Sequence, residues 1–488
     1  MAPDVAGTDL LLVPSYSADQ RTLASIDGLD SWVERHLIEL RHLLQPGHRM
    51  VLVSPTPISP ACLDAVLGLI PGVPSAWLRE RLNYLCLNDR SPIPLTEKLL
   101  ARPLLLEQLR SQLRPGARLG CYAVSDAEMD LAQRLGLELE GTPSSHGHLG
   151  SKAGSAQVFA ALGMAHPRTT PLCHSLSELG EACESLLGRH RQINSLVVKL
   201  NRMAGGRGNA PLALELTSWH QHPSARRRRE LHQALEQLAM PLPHWREELQ
   251  RHGAIAQERI TAPPGGLSSP SVQLWLGAAD HSPATVISTH EQWLGGPHGQ
   301  SFQGCSFPAR QAYAQELMAM GERLGEYLAG LGCRGPVLLD LLAERRGERW
   351  KLWAIEINLR KGGTSHPFAL AATATDGVFE RSSGMLRAAD GAATFYEASD
   401  ALQQQHWRGL LPEQLLDAWV ERGLYFNSAR RRGCIPHRLG ALGEHGLLGA
   451  TVLGRSRREA RDLMRQMCNT APRVASAHLC RRNSADPR

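Results

Sequence analysis

The feature that most constrains the fold is a pair of strand-like segments around residue 350. Val337–Leu342 and Trp350–Asn358 are rich in apolar residues, and they flank the charged stretch Glu344–Arg349. This pattern predicts a β-hairpin with the charged stretch as its loop. Because side chains alternate between the two faces of a strand, we expect Glu356 and Asn358 to share one face.

The other arm of the hairpin adds a further oxygen donor. Asp340 is expected near Glu356 across the ladder, and Arg360 follows on the same face. Ile355 and Ile357 are expected to point toward the core. Two carboxylates and an amide oxygen are hard ligands that suit Mg²⁺, and an arginine fork suits a phosphate group. The hairpin therefore predicts a site for phosphoryl transfer, with a salt-bridged edge hairpin as the alternative.

Lysine usage points to further residues of such a site. The chain has five lysines and 48 arginines, so a lysine that is retained is expected to serve as a compact ammonium group. Lys199 ends the apolar strand Ser195–Leu200, where an unpartnered charge would be costly. The glycine-rich stretch 201–210 that follows is predicted to be a loop whose amides can approach a polyphosphate, or simply a turn. Lys152 opens a predicted helix, and helix N-termini favour anions.

The rest of the chain alternates between strand and helix patterns. Residues 10–145 predict a small layer with a mainly parallel sheet, and the pattern Ser125 to Glu128 is a capping box at the start of a helix. Further predicted strands are Leu10–Val13, Met50–Ser54, Leu119–Val124, Val272–Leu276, Ala284–Thr289, 434–442 and 447–453. Further predicted helices are Asp30–Leu44, Pro103–Leu113, Lys152–Leu162, Arg310–Leu331, Pro412–Arg422 and Arg457–Met467.

Composition narrows the function classes. There is no apolar run of 18 residues and no signal-peptide pattern at the N-terminus, so a cytoplasmic protein with no membrane partner is expected. The ten cysteines are scattered without metal-ligand spacing, which predicts reduced thiols. The net charge of +6 does not imply nucleic acid. Arg226–Arg229 is interpreted as a solvated helix start or loop, with a polyanion-binding patch as the alternative.

The order of these motifs resembles the ATP-grasp superfamily. It runs from Lys152 through VVKLN around Lys199, the glycine-rich loop and Gln257–Ile260 to Asp340 and the EINLR segment. The segment Glu356–Pro367 is similar to the signature EINxRxGGTxHP of the pheganomycin-type peptide ligases. Residues 295–308 and 437–451 also resemble that family.

The resemblance implies a role for each motif residue. Lys152 and Lys199 would contact the phosphates of ATP, and a lid would be formed by Gly205, Gly206, Arg207 and Gly208. Adenine or ribose would be held by Glu258, Arg259 and Ile260. Two Mg²⁺ ions would be bound by Asp340, Glu356 and Asn358, and Arg360 together with Lys199 would act in catalysis. His298, Gln300, Lys361 and His366 are site-lining or structural, and His437 is interpreted as structural.

The resemblance also implies an architecture and a reaction. The fold class is α/β (α+β), with a pre-ATP-grasp domain at 1–145, an ATP-grasp domain at 146–390 whose lid spans about 165–260, and a small C-terminal α+β domain at 391–488. The expected reaction joins a small-molecule carboxylate to the amine of an amino acid or peptide through an acyl phosphate, in the biosynthesis of a peptide-like metabolite. Alternatives are an ATP-binding regulatory protein without turnover, and kinase or thioester-forming chemistry. Monomer and homodimer both stay open.

Overall fold

The computed structural model describes residues 7–203, 206, 208–239, 245–261, 266–277, 283–296 and 299–471. Within these ranges the strands form three sheets of five, eleven and three strands. None of the described helices is both long enough and apolar enough to cross a lipid bilayer. Nine cysteines in the described ranges are free thiols, and Cys480 lies outside those ranges.

The first sheet is entirely parallel, in the order β3-β2-β1-β4-β5. Its strands are β1 (Asp9–Val13), β2 (Arg49–Ser54), β3 (Leu82–Cys86), β4 (Arg118–Cys121) and β5 (Glu138–Leu139). The strand β1 is buried along its length and apolar after Asp9, as expected for a sheet covered by helices. The predicted parallel sheet is confirmed. The strand predicted to continue to Val124 ends earlier, and Tyr122 lines a cavity instead.

Helices pack around this sheet. They are α1 (Gln20–Ala24), α2 (Pro60–Leu67), α3 (Ser75–Arg79), α4 (Leu95–Leu100), α5 (Pro103–Gln112) and α6 (Asp126–Leu135). The capping box of Ser125 and Glu128 is present as predicted. The helix predicted over Asp30–Leu44 is a 3-10 helix spanning Leu29–Leu44. With three residues per turn, side chains three apart lie along one line, which brings Trp32 and Arg35 together.

A small antiparallel sheet in the order β7-β6-β8 follows. Its strands are β6 (Leu196–Leu200), β7 (Asn209–Pro211) and β8 (Ala254–Glu258). The associated helices are α7 (Lys152–Ala161), α8 (Leu176–Arg189), α9 (Leu216–Trp219), α10 (Ser224–Ala239) and α11 (Trp245–His252). The predicted glycine-rich loop is shorter than expected because Asn209 already pairs with Lys199. Short 3-10 helices also span Ser144–Gly150 and Gln405–Trp407.

Arg226–Arg229 lies within the first two turns of α10, which is the solvated-helix interpretation. Arg226 pairs with Glu230 at 2.8 Å, and Arg228 pairs with Glu184 at 2.8 Å. Both arginine side chains are more than half exposed, so these pairs add little to stability.

The large sheet has the order β14-β13-β10-β11-β12-β17-β16-β15, with β9 on β13 and the pair β18–β19 on β17. Its strands are β9 (Leu267–Ser268), β10 (Pro270–Leu276), β11 (Ala284–Gly295), β12 (Ser301–Phe307), β13 (Gly335–Arg346), β14 (Arg349–Asn358), β15 (Val378–Glu380), β16 (Met385–Arg387), β17 (Ala393–Gln403), β18 (Gly433–Arg438) and β19 (Leu447–Gly454). The helices here are α12 (Gln311–Gly330), α13 (Ser365–Thr375), α14 (Pro412–Glu421), α15 (Leu442–His445) and α16 (Arg457–Cys468).

The predicted hairpin is confirmed as β13 and β14, and Asp340 pairs with Glu356 as expected. Its predicted loop, Glu344–Arg349, is wrong because both strands extend to a tight turn at Gly347, which has a positive φ of 64°. The strand predicted over 434–442 ends at Arg438, since the chain turns there into α15.

Candidate active site

A cavity of about 650 Å³ lies where the hairpin, the small sheet and the carboxyl edge of the parallel sheet meet. Its hinge end is lined by Val197, Glu258, Arg259, Ile260, Leu267 and Leu342. Its centre is lined by Lys199, Gly206, Asp340, Glu356, Asn358 and Arg360. Its distal end is lined by Tyr16, Trp32, Arg35, Tyr122, Asp400 and Arg438. Most of the predicted site residues therefore face one cavity.

A bulge in the hairpin shapes the centre. The register of β13 and β14 shifts between Asp340 and Leu341, so Ile355 is the extra residue in its strand. Both Ile355 and Glu356 line the cavity as a result. The expectation that Ile355 faces the core is therefore wrong, whereas Ile357 is fully buried there.

The three predicted oxygen donors line one part of the cavity, and two of them, Asp340 and Asn358, are hydrogen-bonded to each other. Asp340 accepts hydrogen bonds from the amide of Gln292 at 2.6 Å and from the amide of Asn358 at 2.8 Å. The Asn358 Oδ1 atom accepts from Arg360 at 2.7 Å. Gln292 lies on β11, and sequence analysis missed it because no pattern links that strand to the hairpin.

The electrostatics of this cluster fit a bound cation. Burial and the neighbouring Glu356 carboxylate raise the pKa of Asp340 to about 7. Burial also opposes ionisation of Glu356, but its ion pair with Lys152 outweighs that effect and leaves the pKa of Glu356 below its usual value. Two carboxylates that face each other in a low dielectric repel unless positive charge lies between them. An all-oxygen donor set of this kind matches Mg²⁺.

Lys199 lies on β6 beside the cluster, and its side chain is 7% exposed. Its ammonium group donates to the Gln257 Oε1 atom at 2.6 Å. Burial first and the nearby Lys152 charge second lower the pKa of Lys199 to about 8. Gln257 begins the predicted motif Gln257–Ile260 but had no predicted role, and the structure shows that it orients Lys199.

The hinge end contains Glu258, Arg259 and Ile260, as predicted. The Glu258 carboxylate accepts from Arg168 at 3.1 Å. The amide of Arg259 already donates to the Ser195 carbonyl at 2.9 Å. Among the described residues no hydrogen bond involves the Arg259 carbonyl or the Ile260 amide, so these two groups remain for a ligand.

The glycine-rich loop is described in part. Gly206 has a φ of 77°, and a Cβ atom there would lie 2.5 Å from the Gln300 carbonyl oxygen. Gly208 packs against Met203, where a Cβ atom would lie 2.6 Å from the side chain. The predicted lid residues Gly205 and Arg207 lie outside the described ranges, as does His298. Gln300 lines the cavity.

Arg360 connects the centre to the parallel sheet. It donates to the Tyr122 hydroxyl at 2.7 Å in addition to its bond to Asn358. Tyr122 directly follows β4, at the carboxyl edge where ligands of parallel sheets bind. Nearby, Lys361 forms an ion pair with Glu39 at 2.6 Å and does not line the cavity.

The distal end contains a buried cluster that sequence analysis missed in part. Asp400 pairs with His366 at 2.7 Å, with His437 at 2.8 Å and with Arg35 at 2.7 Å. The two histidines had been singled out individually. Asp400 and Arg35 carried no signal, because the four residues come from widely separated segments.

Two family models and a curated relative match this chain. The model of the Pre ATP-grasp domain matches residues 39–137, and that of the PGM1 C-terminal domain matches residues 414–467. L-propargylglycine–L-glutamate ligase of Streptantibioticus cattleyicolor is 30% identical over 468 residues, covering 92% of this chain and 91% of that ligase.

Solved structures with the same fold include two enzymes of low sequence identity. The biotin carboxylase domain of Hydrogenobacter thermophilus 2-oxoglutarate carboxylase, solved with MgADP, ADP and bicarbonate, has a TM-score of 0.56 at 11% identity, covering 94% of this chain and 89% of that one. N5-carboxyaminoimidazole synthetase from Staphylococcus aureus has a TM-score of 0.53 at 11% identity, with coverages of 95% and 97%. At such identities the likeness concerns the fold.

Proposed function

This chain belongs to the ATP-grasp family of carboxylate–amine ligases, and from that premise we propose that it joins a small carboxylic acid to the amine of an amino acid or short peptide. The observation that carries the proposal is the cluster of Asp340, Glu356 and Asn358 beside Lys199 and Arg360 in one cavity. Phosphoryl transfer requires oxygen ligands for a metal ion and ammonium groups that bind phosphates. It also requires a guanidinium group that stabilises the charge developing in the transition state.

ATP would occupy the cavity from the hinge end to the centre. The Arg259 carbonyl and the Ile260 amide would bind the adenine edge, and Glu258 would lie near the ribose. Lys199, Lys152 and the amides of the loop around Gly206 would bind the phosphates. The two described glycines of the proposed lid each pack where a side chain does not fit, so the backbone of this loop lies close to its neighbours.

Mg²⁺ would be held by Asp340, Glu356 and Asn358, with two ions expected. When bound, Mg²⁺ would neutralise phosphate charge and help align ATP with the acid. The raised pKa of Asp340 supports this assignment. Two carboxylates as close as Asp340 and Glu356 repel each other when both are ionised, and a bound cation would offset that repulsion.

The reaction proposed has two steps. A carboxylate oxygen attacks the γ-phosphorus of ATP, and ADP leaves to give an acyl phosphate. An unprotonated amine then attacks the acyl carbon, and phosphate leaves to give the amide. Arg360 would stabilise charge on the transferring phosphoryl group, and the lid would keep water from the acyl phosphate.

The name of the relative gives two amino acids, L-propargylglycine and L-glutamate, as the molecules that it ligates. Amino-acid substrates and a role in the biosynthesis of a peptide-like metabolite are therefore part of the proposal. So are the domain boundaries at 145 and 390 and the lid at about 165–260. Strand β17 lies beyond the second boundary and pairs with β12, so the last domain extends the large sheet.

An ATP-binding protein without turnover is the second candidate. The complete central cluster favours the ligase. The test is ADP and phosphate release across a panel of acids and amines, with Glu356→Gln as the comparison. The parent is expected to release ADP when both an acid and an amine are present. The rate of ADP release by Glu356→Gln is expected to be lower by a factor of about 10³ or more. Full activity of Glu356→Gln would refute the metal assignment.

A further inference from the structure

Arg35 is a buried cation at the distal end of the cavity whose bonding is incomplete. Its side chain is 5% exposed, and its guanidinium carbon lies 3.7 Å from the centre of the Trp32 ring. This stacking holds the guanidinium plane in one orientation. The 3-10 geometry that aligns the two residues therefore fixes Arg35 against the wall of the cavity.

The hydrogen bonds of Arg35 leave the Nη2 atom of the guanidinium group available. Its Nη1 atom donates to the Asp400 Oδ2 atom at 2.7 Å, and its Nε atom lies 3.5 Å from the His36 Nε2 atom. Within the described ranges, the Nη2 atom makes no hydrogen bond. Arg35 lines the cavity, so a ligand that supplies an anionic oxygen can accept a charge-assisted hydrogen bond from Nη2.

Asp400 serves to hold Arg35. Its Oδ1 atom lies 2.7 Å from the Nε2 atom of His366 and 2.8 Å from the Nε2 atom of His437. The Nδ1 atom of His437 lies 3.2 Å from the Thr451 hydroxyl. Both Asp400 oxygens are thus occupied by protein donors, which makes Asp400 a positioning residue.

Asp400 and the two histidines, His366 and His437, could also hold a metal ion, because their ligand atoms lie within 4.8 Å of one another. The positive charges of two nearby arginines disfavour a metal ion at these residues. Arg35 bonds one Asp400 oxygen at 2.7 Å, and Arg438 donates to the Asp400 carbonyl at 3.2 Å. Like charges repel at these distances in a buried site. The hydrogen-bonded triad is therefore the favoured state.

The position of Arg35 relative to Arg360 suggests its ligand. Both guanidinium carbons flank the ring of Tyr122, at 5.0 Å for Arg35 and 5.3 Å for Arg360. Their separation is therefore no more than the sum of these distances. A small molecule with two carboxylates a few bonds apart can contact both guanidinium groups within that limit.

We propose that Arg35 binds a second carboxylate of the acid substrate, so that the enzyme takes a dicarboxylic acid such as an acidic amino acid. The carboxylate that reacts would face Arg360, and the other would complete the bonding of Arg35. This inference rests on the proposed ligase function. It adds the chemical class of the acid and a residue that selects it.

The test compares Arg35→Met and Arg35→Lys with Arg41→Met, a control from the same helix whose side chain is 46% exposed. The probes are L-glutamate, L-aspartate, succinate and glutarate, against the monocarboxylic L-norvaline and butyrate. At least one dicarboxylic acid is expected to support ADP release by the parent better than the monocarboxylic acids. Arg35→Met should raise the KM for that acid about tenfold to a hundredfold and leave the KM for ATP unchanged. Arg35→Lys should recover part of the loss, and Arg41→Met should match the parent.

Thermal stabilisation by the same acids with MgADP provides a readout without turnover. Stabilisation by a dicarboxylic acid that is lost in Arg35→Met supports the inference even if no amide forms, and in that case only the ligase function fails. Retained MgADP binding shows that each variant is folded, and if Arg35→Met does not bind MgADP, the acid affinity of Arg35→Lys decides. Equal use of monocarboxylic acids, an unchanged KM in the Arg35 variants, or a stoichiometric metal on the histidines would overturn the proposal.

Discussion

Lys199 shows at the scale of one residue how burial adapts a side chain to its surroundings. Its ammonium group is held by Gln257, and burial together with Lys152 lowers the pKa of Lys199 to about 8. An ordinary lysine stays charged well above pH 9. Lys199 therefore loses its proton much closer to neutral pH.

Nucleotide affinity is expected to follow this titration. A phosphate favours the charged ammonium, so the Kd for MgADP should rise by about tenfold as the pH increases from 7 to 9.5 through a pKa near 8. In Lys199→Arg the guanidinium stays charged over this range, and the Kd should remain flat. Titration calorimetry across the pH range measures both. An equal rise in parent and variant would show that another group controls binding.

At this scale, the cluster of Asp340, Glu356 and Asn358 could be predicted, whereas the residues that support it could not. The two-residue period of a strand places Glu356 and Asn358 on one face regardless of the tertiary fold. Gln292 and Gln257 support the cluster from other strands. Their partners are set by the sheet order, which no local pattern encodes.

Among the elements, the two strands of the hairpin and the pairing of Asp340 with Glu356 were predicted, but the bulge at Ile355 was not. Local alternation indicates two strands and their pairing, whereas the bulge that turns Ile355 into the cavity depends on how β14 packs. The 3-10 character of Leu29–Leu44 was also missed, because apolar spacing does not distinguish it from an α-helix.

The glycine-rich loop allows a matched test at the scale of an element. Gly206→Ala would place a Cβ atom 2.5 Å from the Gln300 carbonyl oxygen at a φ of 77°. Gly163→Ala imposes a similar backbone strain of about 1–2 kcal/mol at a φ of 61°, where nothing lies within 4 Å. We expect Gly206→Ala to lower kcat about tenfold relative to Gly163→Ala and to increase the ADP released per amide formed, because closure is impaired.

Denaturant unfolding is the companion measurement for this pair. Both glycine variants should be destabilised by the shared backbone penalty, and Gly206→Ala should lose more stability because only its Cβ atom overlaps a neighbouring backbone. If both variants keep the parent's ratio of amide to ADP, the loop around Gly206 does not protect the intermediate.

In the whole molecule, ion pairs and hydrogen bonds join distant segments around the cavity. Lys361 pairs with Glu39 of the 3-10 helix, and Arg438 donates to the Gly28 carbonyl at 2.6 Å. The distal cluster likewise joins Arg35 to Asp400. Such contacts link residues more than 300 positions apart, so sequence patterns could not predict them.

The Lys361–Glu39 pair yields a pH-dependent prediction. Burial opposes ionisation of Glu39, but Lys361 outweighs it and lowers the pKa of Glu39 to about 2. The stabilisation is fully present above the unfolded pKa of about 4.5 and is lost as the pH falls toward 2. Lys361→Met should therefore destabilise the protein by about 1–3 kcal/mol at pH 7, and the difference should shrink below pH 4.5.

Urea unfolding between pH 7 and about pH 3 measures this difference. Arg41→Met is the control, because Arg41 lies 3.8 Å from Glu39 and its side chain is 46% exposed, so its loss should cost less than about 1 kcal/mol. A difference that is constant with pH would mean that Lys361 contributes by packing alone.

The central claim is that the chain activates a carboxylate by phosphorylation before an amine attacks. The most direct measurement uses an acid substrate labelled with ¹⁸O in its reacting carboxylate, with ATP, Mg²⁺ and the amine. Mass spectrometry of the released phosphate should show one ¹⁸O atom per turnover in the parent protein. ADP release with unlabelled phosphate would contradict the account, because the carboxylate oxygen would not have reached the γ-phosphorus.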